Sequence, residues 1–175
     1  MTRREWALTT AVALVAGGSG YAYNAWRTAA EAEARQAVAA LEAAELPNLD
    51  GKAQALRQWR GKLVVLNFWA TWCAPCREEI PVFIRLQDRY GDRGLQFVGI
   101  AIDHPSKVRP YAAELGMNFP ILVGWMEAIE LARKLGNRSG VLPFTLVLAR
   151  DGTIAMTHIG ALKEAQLEPL LTSML

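Results

Sequence analysis

The stretch Asn67-Phe68-Trp69-Ala70-Thr71-Trp72-Cys73-Ala74-Pro75-Cys76-Arg77-Glu78-Glu79 holds both cysteines of a 175-residue chain. Two thiols so spaced can bind a metal, staple a turn or exchange electrons with other disulfides. Just ahead of them, Lys62 to Trp69 (KLVVLNFW) is a near-continuous apolar run of β-branched and aromatic residues. That is the pattern of a strand buried on both faces. Behind them a helix is expected to run from the cysteines to about Tyr90 and to end at Gly91. The cysteines therefore mark a strand-to-helix junction. Cys73 falls at the helix N-terminus, where free backbone N–H groups and the macrodipole favour an anion, so its sulfur is expected to attack as the thiolate. Pro75 is tolerated in a first helical turn, where its missing N–H has no partner to lose. Cys76, one turn on, is expected to lie deeper and to close the ring when a mixed disulfide resolves.

The other uses of the pair are weaker. Zinc asks for about four ligands, and the two histidines, His104 and His158, lie far apart without paired spacing. No metal site is expected. As a passive staple, so small a ring removes little chain entropy. Redox exchange is the reading that remains.

Outward from the cysteines, strands and helices alternate. Leu95–Ile102 (LQFVGIAI) reads as a second buried strand, 105–115 as a helix closed by Gly116, and 119–123 as a short strand. Residues 125–135 read as a helix closed by Gly136. Strands at 145–148 and 153–158 are joined by Arg150-Asp151-Gly152, whose Asp-Gly pair is a hairpin signal, and a last helix runs from Lys163 to the C-terminus. Strand-helix units followed by a hairpin and a helix imply an α/β fold, a mixed central sheet with helices on both faces.

The N-terminus is organised differently. Arg3 and Arg4 precede an uncharged, mostly apolar run from Trp6 to Trp26, about the 20 residues that cross a bilayer as a helix. Residues 1–27 are therefore read as a membrane anchor or export signal, with the basic start favouring a C-terminal domain outside the cytoplasm. Tyr21, Tyr23 and Trp26 suit an interfacial belt and favour an uncleaved anchor, whereas Ala30-Glu31-Ala32 offers a site for signal cleavage. Arg3-Arg4 also loosely matches a twin-arginine export signal. Residues 28–45 (TAAEAEARQAVAALEAAE) have high helix propensity and read as a helical stalk. Leu46-Pro47-Asn48-Leu49-Asp50-Gly51 breaks it, so the folded domain is expected over 46–175. With 19 basic and 17 acidic residues, a net charge of +2 gives no reason to expect a nucleic-acid partner.

The segment FWATWCAPC resembles the thioredoxin superfamily active site, and the resemblance extends over roughly Leu46 to Leu175. Pro81 stands where thioredoxin-like helices carry a kinking proline. Leu142-Pro143 stands where the family has its cis-proline, and Arg150-Asp151-Gly152 and Gly160 complete the ordered set. Thioredoxin carries a buried aspartate where this chain has Asn67, a neutral amide that cannot accept a proton. Glu79 lies on the same helical face as Cys76, whereas Glu78 is about 200° away around the helix. This Asn-plus-Glu arrangement resembles the TlpA/ResA group of membrane-anchored, thioredoxin-like oxidoreductases. So do the inserted strand-helix unit over 119–135 and the lead-in LPNLDGKAQALRQWRGK, which is similar to that group's N-terminal hairpin.

The resemblance implies a thioredoxin-like fold and a Cys73/Cys76 dithiol-disulfide cycle needing no other cofactor. Glu79 would exchange protons with Cys76, and Asn67 would be an active-site polar group. Trp72, Ala74, Pro75, Leu142 and Pro143 would form the substrate surface, with Leu142-Pro143 pairing a substrate segment as an added strand. Phe144 departs from the threonine usual after that proline and bears on the polarity of the groove. Ala74-Pro75 contains no histidine to stabilise a thiolate, which favours a reductant over an oxidant. The expected role is reduction of specific protein disulfides outside the cytoplasm, such as apocytochrome c haem-attachment or copper-site cysteines. A transmembrane carrier of the DsbD/CcdA type would supply the electrons. The rival readings are a general disulfide oxidase or isomerase and a copper metallochaperone.

Overall fold

The computed structural model describes residues 2–175, excepting the side chains of residues 3–17. It forms two units, one up to Gln36 and one spanning Ala37–Leu175. The first is helical, the greater part of α1 (Arg3–Ala43), and exposes Tyr21, Tyr23 and Trp26. The apolar run that starts at residue 6 lies, through residue 17, outside the described side chains. Among the described residues no helix is long and apolar enough to cross a membrane.

The second unit begins earlier than the residue 46 expected. The end of α1 is part of its core: Ala37 and Leu41, one helical turn apart, are buried against Leu46, Leu56 and Trp59. Helix propensity alone reads this segment as stalk; what fixes it to the domain is one apolar stripe.

A two-stranded antiparallel hairpin follows, β1 (Glu45–Pro47) and β2 (Ala53–Ala55), and then the central sheet. Its strands are β3 (Leu63–Trp69), β4 (Leu95–Ala101), β5 (Ile121–Val123), β6 (Phe144–Leu148) and β7 (Ile154–Ile159), in the order β5-β4-β3-β6-β7. β3, β4 and β5 run parallel, while β6 and β7 run antiparallel to their neighbours. The sheet is mixed, as expected. Every residue of β3 is buried, which is what its unbroken apolar run requires.

Alternate residues divide the core. Val64, Leu66 and Phe68 of β3 face the end of α1 and α4 (Met126–Lys134). Leu63 and Val65 face α2 (Ala74–Tyr90) and α5 (Glu164–Met174), where Phe83, Leu86, Leu167 and Leu171 are buried. α3 (Pro105–Leu115) lies on this second face too, burying Val108 and Ala112 beside Trp69. Two successive parallel crossovers, α2 and α3, thus lie on one side, and the return through α4 takes the other. Gly99 of β4 is small for a packing reason: a Cβ there would fall 2.9 Å from the indole Nε1 of buried Trp69. The Arg150-Asp151-Gly152 turn closes the β6–β7 hairpin, with Gly152 at φ +89° and Asp151 Oδ1 accepting from Thr153 N at 2.9 Å. β7 starts at Ile154, one residue later than expected, because Thr153 is held in that turn.

Candidate active site

β3 carries the chain to the end of the sheet at Trp69, and α2 starts five residues later with Cys73 as its N-cap. Cys73 has extended backbone (φ −86°, ψ 103°), and its Sγ accepts from the Cys76 N–H at 3.3 Å. The sulfur thus occupies the place that a serine or aspartate oxygen takes at other helix N-termini, where it satisfies a free amide. Cys73 and Cys76 are joined as a disulfide. Cys73 retains 5% of its accessible surface and Cys76 none, so Cys73 is the more accessible residue of the pair. Pro75 lies in the first turn of α2, and Pro81 is inside the helix.

The loop that presents Cys73 is braced from β4. Asp103, buried just beyond that strand, accepts from Thr71 Oγ1 and from Thr71 N (3.3 Å) through Oδ2, and from His104 N through Oδ1 at 2.8 Å. Burial pushes this carboxyl up, but the bonds from Thr71 and His104, with Lys107 nearby, outweigh it and hold it below its ordinary value. Beside the brace, the His104 and Trp125 rings stack with centroids 6.0 Å apart.

Beneath the disulfide sits a second carboxylate in the opposite condition. Glu79, 1% exposed, faces the sheet one turn after Cys76. Its Oε1 accepts from Asn67 Nδ2 at 2.8 Å and its Oε2 from the Leu162 backbone N–H at 2.9 Å. Burial raises its pKa to about 7, against the lowering effect of the Leu162 and Asn67 hydrogen bonds. A carboxyl so placed is half protonated near neutral pH, the condition for general acid-base work. Glu78 is exposed, on the other side of α2.

The Leu142–Pro143 peptide bond is cis. Pro143 is buried, and its carbonyl accepts from Gly160 N at 2.8 Å. Leu142 packs against the cluster that contains Trp69, Cys73, Cys76 and Ile80, which joins the proline loop to the cysteines. Asn137, fully buried, shapes that loop by donating to the Val141 carbonyl at 2.9 Å. Trp72 is 63% exposed, and Ala74, Pro75 and Val141 are exposed too. The side chain of Phe144 is buried against Phe68, centroids 5.7 Å apart, on the α4 face of the sheet. It therefore leaves the polarity of the surface unchanged.

The structure brings Asn67, Cys73, Cys76, Glu79, Leu142 and Pro143 together, with Trp72, Ala74 and Pro75 at the surface. Sequence reasoning missed Thr145, fully buried, whose Oγ1 accepts from Asn67 Nδ2 at 2.9 Å. It also missed the Leu162 N–H and the Asp103 brace. Strand pairing alone exposes the first, since Thr145 is directly opposite Asn67 in the β3–β6 register. Asp103 carried a usable signal: an acid closing an apolar strand at the sheet end that holds the cysteines.

Residues 37–157 match the AhpC/TSA family. The chain is 33% identical over 135 residues to thiol-disulfide oxidoreductase ResA of Bacillus thuringiensis (strain Al Hakam), covering 73% of this chain and 75% of ResA. It is 34% identical over 130 residues to thioredoxin-like protein YneN of Bacillus subtilis (strain 168), covering 72% of this chain and 73% of YneN. Among solved structures, the thiol:disulfide interchange protein of the thioredoxin family from Chlorobium tepidum TLS superposes with a TM-score of 0.67 at 28% identity. That superposition covers 75% of this chain and 92% of the other. The family match spans the strand-helix junction, the cis-proline loop and the sheet strands between them, and on these likenesses the chain belongs to the AhpC/TSA family as a ResA-like thiol-disulfide oxidoreductase.

Proposed function

We propose that the protein is a reductase of specific protein disulfides in which Cys73 attacks, Cys76 resolves and Glu79 handles the proton. The observation that carries this reading is the unequal setting of the two sulfurs: Cys73 caps α2 near solvent, and Cys76 is sealed beneath it, one turn from a buried acid. In the reduced protein the Cys73 thiolate attacks one sulfur of a substrate disulfide, forming a mixed disulfide and expelling the other sulfur as a thiolate. Glu79 then takes the Cys76 proton. The Cys76 thiolate attacks Cys73 Sγ, closes the intramolecular disulfide and releases the second substrate sulfur. Two electrons pass to the substrate, and its two thiolates are protonated from Glu79 and from solvent. A dithiol donor restores the reduced state by the reverse exchange.

Exposed Trp72 and Val141, with half-buried Leu142 packed against the cysteine cluster, offer a substrate an apolar surface beside the disulfide. An extended segment flanking the target cysteine fits it, with backbone pairing along Leu142-Pro143. The basic start and apolar run over 6–26 support an anchored or exported protein whose folded domain works outside the cytoplasm. There a reductant has to be recharged across the membrane, and a DsbD/CcdA-type dithiol carrier is the proposed donor. Haem-attachment or copper-site cysteines are the proposed targets. Equilibration with glutathione redox buffers tests the direction of electron flow. A reduction potential below about −200 mV is expected, and one near about −120 mV, typical of a strong dithiol oxidant, contradicts the reductase reading.

A further inference from the structure

Glu79, Asn67 and Thr145 form a buried polar line on the α2 face of the sheet. The amide group of Asn67 spends both its hydrogens there, one on Glu79 Oε1 and one on Thr145 Oγ1. This orientation suits an ionised Glu79, whose two oxygens only accept. A protonated Glu79 has a hydrogen to donate toward Asn67, and the arrangement then puts two donors face to face. Rotation of the Asn67 amide relieves the conflict. Its Oδ1 then accepts from the Glu79 O–H, and the Thr145 hydroxyl reverses from acceptor to donor. A hydroxyl can play either part, because its hydrogen rotates freely.

We propose that Asn67 and Thr145 are a hydrogen-bond polarity switch that follows the protonation state of Glu79, with Thr145 a positioning residue for the proton-handling step. This rests on the role of Glu79 proposed above. Thr145 serves both states, but the ionised state needs it more. Without the hydroxyl, the second Asn67 hydrogen is a buried donor left unsatisfied, whereas the rotated amide still has the Glu79 O–H to accept. Losing the hydroxyl therefore selects against the carboxylate.

Other groups facing this site are few. Cys76 lies on α2 itself. From β7, His158 is in register with Thr145 and on the same face. Beyond Leu162 come exposed Lys163 and the Glu164 carboxylate, which pairs with Arg85 at 2.8 Å.

The test follows the Glu79 carboxyl by carbon NMR in the oxidised full-length chain, where the cysteines do not titrate. The resonance lost in Glu79→Gln identifies it. Thr145→Val is expected to raise its midpoint by about one pH unit, and Thr145→Ser to return it to the wild-type value. The same shift is expected in a His158→Gln background, which removes the neighbouring imidazole. In the wild type, which needs no variant to fold, the Asn67 side-chain amide signals are expected to move with the Glu79 midpoint. An unchanged or lowered midpoint in Thr145→Val, a shift that disappears with His158, or Asn67 signals indifferent to the titration would each overturn the switch. None of these readouts depends on which disulfides the protein reduces, so a failed reductase assay and a failed switch are distinguishable.

Discussion

Replacing Glu79 by glutamine makes the cost of burying this acid measurable. In the unfolded chain its carboxyl ionises near 4.5, and in the folded protein near 7. Between those values the unfolded chain has released a proton that the folded chain keeps. Stability therefore falls as the pH rises through this window and stays lowered above it. At about 1.4 kcal/mol per tenfold change in proton affinity, the gap amounts to roughly 3 kcal/mol. Glutamine cannot ionise and escapes this loss. It also fits the site: its oxygen can accept from Leu162 N–H, and its amide can donate to a rotated Asn67. The assay is urea unfolding of the oxidised wild type and Glu79→Gln at intervals from pH 4 to 8.5. The stability of the variant relative to wild type is expected to improve by roughly 3 kcal/mol across that range, most of it between pH 5 and 7. A difference independent of pH would refute the buried, proton-retaining Glu79 on which the mechanism depends.

Three further substitutions probe the frame around the site. Phe83, buried and stacked on Phe97 with centroids 5.0 Å apart, holds α2 to the sheet; Phe83→Ala is expected to cost about 3–5 kcal/mol in urea unfolding, and a loss under about 1 kcal/mol would contradict that packing. Gly99→Ala drives a Cβ against the indole of fully buried Trp69. A loss of about 1–3 kcal/mol is expected, and unchanged stability would show that the ring yields freely. Asp103→Asn replaces an all-acceptor carboxylate by an amide that turns a donor toward Thr71 or His104. At pH 7 it is expected to lose about 1–3 kcal/mol. Because the Asp103 pKa is lowered by folding, the wild-type advantage shrinks as the pH falls below the ordinary value of 3.8; an advantage that grows on acidification would refute the brace.

What was legible in the chain was mostly what local chemistry dictates. An apolar run without polar interruption had to be a doubly buried strand, and a proline two residues after a cysteine fits a first helical turn. The placement of Glu79 one turn beyond Cys76 followed from helix periodicity. The partners that give Glu79 its character were not legible. Thr145 and Leu162 stand 78 residues from Asn67 and 83 from Glu79, and only β6 pairing antiparallel to β3 and the turn before α5 deliver them. The start of the compact unit was missed for a related reason. In the alanine-rich helix, Ala37 and Leu41 look like neighbours of equal standing until the hairpin and Trp59 cover that one stripe. Phe144 misled in the reverse direction, because strand alternation turns it toward Phe68 and away from the surface it was expected to modify.

The central claim is that Cys73 attacks and Cys76 resolves. It is tested most directly by mass spectrometry of Cys76→Ala after reaction with a disulfide-bonded protein such as insulin. A stable mixed disulfide through Cys73 is expected, together with complete loss of insulin reduction in Cys73→Ala. Wild-type turnover by Cys73→Ala, or mixed disulfides trapped through Cys76 in Cys73→Ala but never through Cys73 in Cys76→Ala, would contradict the assignment.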